Sequence, residues 1–266
     1  MALYVVSTPI GNLSDITLRA IEVLKSVDVI ACEDTRKTQI LCEKYGISTR
    51  LESYHKFSES KKIDFFEKYL REDKDIALVS DAGTPTISDP GSKLIEYARE
   101  NNYKVIPIIG ASACLALLCA VPRDGEEFKF IGFLPRVKSQ IESLVKTIKT
   151  NTVFYESPKR LISTLEIINN VNPDLKICIG RELTKKFEEI IIDKPSVLID
   201  YFTKNTLKGE IVGMIYPNQI DDIDSEIIEK IEKLKELNLG AKEISSILNK
   251  LFDYNKNKVY KICLDL

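Results

Sequence analysis

Hydrophobic and polar positions follow two rhythms along the chain. Short β-branched runs predict strands at Leu3–Ser7, Val29–Ala31, Arg50–Tyr54, Ile76–Ser80 and Lys104–Ile108. Longer amphipathic runs between them predict helices over Ile16–Val27, Arg36–Tyr45, Ser60–Arg71, Gly91–Asn101 and Ser112–Ala120. In the first of these, Leu18, Ile21, Leu24 and Val27 recur at three-residue spacing, and Asp15 reads as the N-cap. Strands alternating with helices imply a mostly parallel sheet covered on both faces. After Pro122 the rhythm changes. Strands at Phe128–Phe133, Thr152–Tyr155, Lys176–Gly180, Glu188–Ile192 and Glu210–Tyr216 are separated by helices at Ser139–Thr150, Lys159–Asn169 and near Ser196–Thr203. That order suggests a mixed sheet. The expected fold class is α/β, with a parallel-sheet domain over residues 1–120 and a mixed-sheet domain over 121–219.

Residues 220–266 differ again. Asp221, Asp222 and Asp224 form an acidic joint, after which Ile227, Ile228, Ile231, Leu234 and Leu237 trace one helix face up to a stop at Gly240. Ala241–Leu251 and Asn257–Leu264 read as two further helices around a Phe252–Lys256 turn. The result is a small helical extension with a helix-turn-helix outline. The outline suits packing or dimerisation as well as nucleic acid.

Composition narrows the classes. Hydrophobic residues are 44% and charged residues 29% of the 266, which excludes global disorder. Lys plus Arg is 38 against 40 for Asp plus Glu, a net charge of −2. Binding to nucleic acid by bulk charge is excluded, while a local basic patch is not. The six cysteines, at 32, 42, 114, 119, 178 and 263, form no Cys-x-x-Cys and are expected to be buried, reduced thiols. His55 is the single histidine and cannot build a typical zinc site alone, so no metal is expected. Met1-Ala-Leu-Tyr4 lacks the basic start of a signal peptide, and the expected compartment is the cytoplasm. The uncharged stretch Val105–Val121 approaches the length of a membrane span, but Pro107 and Gly110 interrupt it. A strand, a turn and a short buried helix account for it, and no membrane partner is expected.

Four segments are dense in Gly, Pro, Ser, Thr and Asp: Ser7–Asn12, Ser80–Gly91, Gly110–Ser112 and Tyr155–Arg160. Each follows the C-terminal end of a predicted strand, the edge where open α/β sheets bind ligands. Glycine admits a ligand close to the backbone and proline fixes the loop. No Gly-x4-Gly-Lys-[Ser/Thr], Gly-x-Gly-x-x-Gly or Gly-x-Ser-x-Gly occurs, so triphosphate, dinucleotide and serine-hydrolase sites lack support. The residues thus point to a small-molecule site between two α/β domains without naming the ligand.

Leu3-Tyr-Val-Val-Ser-Thr-Pro-Ile-Gly-Asn-Leu-Ser-Asp-Ile-Thr17 resembles the opening of the tetrapyrrole-methylase-like (class III) S-adenosylmethionine methyltransferases. Ala31-Cys-Glu-Asp-Thr-Arg36, Leu78-Val-Ser-Asp-Ala-Gly-Thr-Pro85, Gly132-Phe-Leu-Pro135, Phe154-Tyr-Glu-Ser157 and Arg181-Glu-Leu-Thr-Lys185 resemble the ribosomal RNA small subunit methyltransferase I family within it. The resemblance runs from residue 3 to about 216 and extends to the helical tail. It implies S-adenosylmethionine as cofactor and 2′-O-methylation of a cytidine in the decoding region of 16S rRNA. It also implies a homodimer acting on 16S rRNA or the assembled small subunit. The sequence departs from the family at Ile109-Gly110-Ala111, where Pro-Gly-Pro is usual. That loop should be less pre-organised, although no functional group is lost.

Carried over by motif, the resemblance places Ile10, Thr84, Pro85, Ile87, Gly110, Ser112, Ala113, Tyr155, Gly180 and Glu210 at the cofactor. Methyl transfer from a sulfonium to a hydroxyl needs alignment and a destination for the proton. The carboxylates Asp34, Asp81, Glu156 and Glu182 follow predicted strand ends and stand open as that destination, while Lys185 is placed to acidify the hydroxyl. Arg36, Arg136, Arg160 and Arg181 are expected in a basic rim that receives phosphates. Two other readings stay open: a tetrapyrrole methyltransferase of the same fold and a non-catalytic ribosome assembly factor. The Glu-Asp-Thr-Arg and Arg-Glu-Leu-Thr-Lys segments favour rRNA over tetrapyrrole, and retention of the cofactor-side loops favours an enzyme.

Overall fold

The computed structural model describes residues 1–55, 59–205, 207–217 and 222–266. Met1–Pro217 and Asn218–Leu266 are two compact units. The first contains two five-stranded sheets.

The first sheet consists of β1 (Ala2–Val6), β2 (Val29–Cys32), β3 (Arg50–Ser53), β4 (Ile76–Val79) and β5 (Lys104–Ile108), in the spatial order β3-β2-β4-β1-β5. Every pairing is parallel. All residues of β2 and β4 are buried, as expected for inner strands covered on both faces. Helices α1 (Leu18–Ser26), α2 (Thr35–Tyr45), α3 (Glu59–Arg71), α4 (Ser92–Glu100) and α5 (Ala113–Ala120) connect or follow the strands. The first helix corrects the sequence expectation. Its cap is Thr17, whose hydroxyl accepts from the Ala20 amide at 3.1 Å, and Asp15 belongs to a short 3-10 turn before it. A hydroxyl one residue ahead of the helix outcompetes the earlier acid because the turn consumes Asp15. Leu18 then falls on the outer side at 79% exposure, while Ala20 and Leu24 face the core.

The second sheet contains β6 (Phe128–Phe133), β7 (Asn151–Glu156), β8 (Ile177–Arg181), β9 (Glu189–Asp193) and β10 (Ile211–Ile215), in the order β6-β7-β10-β8-β9. Only β6 and β7 are parallel, so the sheet is mixed as expected. Helices α6 (Lys138–Lys146), α7 (Pro158–Val171) and α8 (Pro195–Lys204) bury Ile141, Leu161, Leu165 and Leu198 in a core with Phe154, Ile177 and Ile179.

The two sheets are joined through α5. This helix carries no charged side chain, and its Cys114, Leu117 and Leu118 pack with Val153, Cys178, Val212 and Met214 of the second sheet. Gly180 permits the approach, since a Cβ there would lie 2.8 Å from Leu117 Cδ1. Burial of α5 is not complete: Leu115 and Cys119 are exposed, so five of the six free cysteines are buried rather than all. The uncharged stretch is therefore β5, a turn and α5, and among the described residues no helix is long and apolar enough to cross a membrane.

The second unit consists of α9 (Asp222–Lys235), α10 (Ala241–Phe252) and α11 (Lys256–Asp265). Ile227, Ile231, Ile244, Leu248, Val259 and Cys263 form its core. Leu237, expected on the inner face of α9, lies beyond the helix end and is exposed. Asp221 of the acidic joint, and the 219/220 boundary, lie outside the described residues.

Gly213 sits in β10 against the face of Phe154, where an added Cβ would overlap the ring. Gly213→Ala should therefore cost about 1–3 kcal/mol through overpacking, read as a lower urea midpoint with an unchanged slope.

Candidate functional site

The loops after β1, β4 and β5 are sewn together at one sheet edge. Thr8 and Gly83 exchange backbone hydrogen bonds at 2.9 and 3.0 Å. The Thr8 hydroxyl donates to Ser80 O at 3.1 Å, and the Thr84 hydroxyl donates to Ala111 O at 3.2 Å. Having given its one proton to Ala111, Thr84 must accept from Ser7 Oγ at 2.9 Å. Gly83 holds φ +81° and Thr86 φ +70°, a left-handed geometry that threonine adopts only where its surroundings impose it.

Facing these loops are the ends of the second sheet's strands. Glu156 has a fully buried side chain; its Oε1 accepts from the Ser157 amide at 2.7 Å and its Oε2 from the Thr164 hydroxyl at 3.0 Å. Arg160, one turn along α7, pairs with it at 3.2 Å and donates to Pro135 O at 2.6 Å. The Lys185 ammonium lies between Glu182 Oε1 at 2.8 Å and Glu210 Oε2 at 2.9 Å. Burial works against its charge, but the two carboxylates outweigh burial and hold its pKa above the usual lysine value. Glu182 and Thr184 both have left-handed backbones, at φ 53° and 66°. Thr184 Oγ1 accepts from the Asn12 amide at 3.0 Å, which ties this loop to the one after β1.

Between the two loop sets lies a cavity of about 400 Å³, within the range of small-molecule sites. Ile10, Thr84, Ile87, Ser112, Ala113, Tyr155 and Glu210 line it. Pro85 is buried behind that wall, Gly110 packs on Ser7, and Gly180 lies beneath α5; none of the three is among the lining residues. Asp81 lines it too, held by the Asp34 amide at 2.9 Å and Lys37 Nζ at 2.7 Å. Asp34 caps α2 instead, and the Arg36 guanidinium bound to it draws its carboxyl down to about 2. Glu156 closes the inner end, and Glu182 and Lys185 stand behind Glu210.

Several lining residues are not among the expected site residues, including Leu183 and Val212 on the apolar side and Glu33, Asp89 and Phe133. Glu33 and Asp89 lie beside Asp81, and both carboxyls are pushed up, first by burial and then by the charge of Asp81. Phe133 stands at the wall contributed by β6. The signal for Glu33 was present: an Asp-Thr pair opening a helix spends its aspartate on the cap and leaves the residue before it at the strand end. Of the arginines, Arg36 and Arg136 are exposed, whereas Arg160 is turned inward and Arg181 pairs with Glu189 and donates to Lys208 O at 3.2 Å.

The profile of tetrapyrrole (corrin/porphyrin) methylases matches residues 2–196. The chain is 37% identical over 270 residues to the ribosomal RNA small subunit methyltransferase I of Mesorhizobium japonicum, covering 100% of this chain and 92% of that one. Against the protein of the same name from Hydrogenobaculum the identity is 46% over 217 residues, with 80% and 94% covered. It belongs to the ribosomal RNA small subunit methyltransferase I family. Among solved structures, diphthine synthase superposes with a TM-score of 0.63 at 16% identity, covering 85% of this chain and 94% of that one. The uroporphyrin-III C-methyltransferase of Thermus thermophilus, solved with S-adenosylhomocysteine, superposes at 0.58 and 13% identity, with 81% and 97% covered. These two likenesses show the fold. In this member of the methyltransferase I family, the motifs that carry the sequence resemblance meet at the cavity: Gly83-Thr84, Glu33, Phe133, Tyr155-Glu156 and Leu183 all line it.

The inward turn of Arg160 has a measurable consequence. Arg160→Met should leave the buried Glu156 carboxylate without its cation and cost about 2–3 kcal/mol in urea unfolding. The exposed Arg36→Met should leave the urea midpoint essentially unchanged.

Proposed function

We propose that this chain is a methyltransferase that uses S-adenosylmethionine to methylate the ribose 2′-hydroxyl of a cytidine in the decoding region of 16S rRNA. The observation that carries the reading is the cavity's charge. Among its described lining residues are Glu33, Asp81, Asp89 and Glu210 and neither a lysine nor an arginine. A phosphate would find no cation there. A sulfonium and an ammonium find carboxylates, and an adenine finds Ile10, Leu183 and Val212. The residues thus fit S-adenosylmethionine, with Ile10, Thr84, Ile87, Ser112, Ala113, Tyr155 and Glu210 as its contacts and Pro85, Gly110 and Gly180 shaping the walls behind. The bound cofactor supplies a methyl group on a good, neutral leaving group.

The chain's own work is to orient the ribose and take up its proton. Lys185 is held protonated and cannot accept it. Asp34 and Glu182 are held below the usual carboxylate range, Asp34 first by Arg36, and Glu182 by Lys185 and the Glu210 amide against the opposing effect of burial. The buried Glu156 is already satisfied by three donors. Asp81 is likewise tied to Lys37 and the Asp34 amide, so the raised carboxyls of Glu33 and Asp89 beside it are the acceptors this reading selects. Residues 1–120 and 121–219 then form the two sides of the cleft and 220–266 an extension. A cytoplasmic homodimer completes the reading; the exposed Ile109, just before the apolar α5, and Leu115 within it support the dimer.

Labelled S-adenosylmethionine offered with small ribosomal subunits or with tetrapyrroles tests the reading. Label should enter 16S rRNA at one ribose; label in the tetrapyrrole, or in neither, overturns it.

Cofactor affinity should depend on pH with a definite sign. Glu33 faces Asp81, Asp89, Lys37 and His55, and its raised pKa means that it takes up a proton earlier on acidification than an ordinary glutamate. The wall then loses negative charge, so affinity should hold near neutral pH and fall on acidification, sooner than an ordinary glutamate would make it. Glu33→Gln should flatten that profile in calorimetry; an unflattened profile assigns the titration to another group.

Arg36, although paired with Asp34, and Arg136 are the rim arginines exposed to phosphate at the surface. Replacing both by Ala should weaken subunit binding and reduce the slope of log K against log salt by roughly 1–2, leaving cofactor affinity unchanged. An unchanged slope would remove them from the rim.

A further inference from the structure

Phe133 is 58% exposed, yet its backbone is fixed from both sides. The parallel pairing of β6 with β7 runs Phe128↔Asn151, Lys129↔Thr152 and Phe130↔Val153, then slips so that Phe133 meets Tyr155. Three steps on β6 thus oppose two on β7, which makes a β-bulge, and Gly132 within it has φ +66°. In an unbroken strand Phe130 and Phe133 would point to opposite faces. With the extra residue both reach the ring of Tyr155, edge-on at 4.9 and 5.8 Å. The next residues are anchored as well: Leu134 N donates to Tyr155 O at 3.3 Å, and Leu134 O and Pro135 O accept from Arg160, itself paired with the buried Glu156. A Cβ on Gly132 would lie 3.7 Å from Ser88 Oγ of the loop after β4. The bulge therefore stands where the two halves meet and puts an aromatic side chain at the cavity mouth.

A single exposed phenylalanine is ordinary. A glycine-dependent bulge and a buried ion pair that together hold it at the edge of the reaction cavity are not. The ligand class follows from the reaction, and this step rests on the rRNA reading above. A concave cavity takes up a ribose most readily when its nucleotide is splayed out of the stack, as in single-stranded loops, and the protein then replaces the lost stacking with an aromatic face. We propose that Phe133 is the stacking platform for the unstacked nucleobase of the target nucleotide. Stacking accepts any base, so Phe133 positions the ribose and does not read the base.

The test uses the full chain with small ribosomal subunits and the variants Phe133→Leu and Phe133→Trp. Leucine keeps apolar volume without a π face; tryptophan keeps the face. Phe133→Leu should lose about ten- to a hundredfold in kcat/KM for methylation, with Phe133→Trp within about threefold of the parent. Cofactor affinity by calorimetry should stay within about twofold for both, which also reports a folded cleft. A leucine variant as active as the parent, a tryptophan variant as impaired as leucine, or cofactor affinity falling in step with activity would each overturn the platform. A parent protein that puts no methyl into small subunits defeats the functional reading instead, and the platform falls with it.

Discussion

The cavity depends on one piece of burial. Helix α5 leaves the first sheet and sinks its apolar side chains into the face of the second. Burying Leu117 and Leu118 removes apolar surface worth about 1.5–3 kcal/mol each from water, enough to hold two sheets together where loops alone would not. The register of that contact is set by Gly180, because any side chain there would push Leu117 away. Once the sheets are held, the loop ends can be tied by weaker bonds. Asn12 to Thr184 is one such tie, and the Ser7–Thr84–Ala111 chain orders the first sheet's side.

Most of the architecture was legible because each strand of the first sheet is short, β-branched and followed by an amphipathic run. What failed, failed locally. The spacing of Leu18 with Leu24 suggested one helix face, but helix start is decided by which hydroxyl or carboxylate is free to cap, and Thr17 is. Cys119 and Leu115 read as buried because α5 is apolar all round, yet a helix packed on one sheet presents its other side to solvent. The candidate site was legible as loops and not as chemistry. Glycine, proline and threonine density marked Ser80–Gly91, but composition does not say whether Asp81 or Asp89 turns inward, or that Asp34 is spent on a cap.

The arginines show why charge was the least legible feature. Glu156 and Arg160 are four residues apart across the start of α7, a spacing that pairs side chains on a helix and was available from the sequence. Arg181 and Glu189 are different: they are directly opposed across β8 and β9, which is visible only once the register is known. Two of four expected rim cations thus serve the fold. The basic character left at the surface is modest, in keeping with a net charge of −2 and with a partner recognised by shape more than by field.

The acidic wall also bears on turnover in the proposed reaction. Carboxylates crowded against one another, as Glu33, Asp81 and Asp89 are, hold negative charge at a cost that a bound cation relieves. A sulfonium offers that relief and a thioether does not. The wall therefore attracts the methyl donor more than its demethylated product, and the same charge that draws one in releases the other. Lys185 keeps this bias local. Clamped between Glu182 and Glu210 by a loop with two left-handed residues, it neutralises carboxylates at the second sheet's side, and with Lys37 on Asp81 this leaves Glu33 and Asp89 to carry the negative face. Backbone strain of this kind costs about 1–3 kcal/mol per residue and persists only where neighbours impose it. Here Gly11 and Gly209 give the loop the room, since a side chain at Gly11 would strike Lys185 and one at Gly209 would strike Glu182. The strain thus goes into fixing the Lys185 ammonium against Glu210, at the second sheet's side of the cavity.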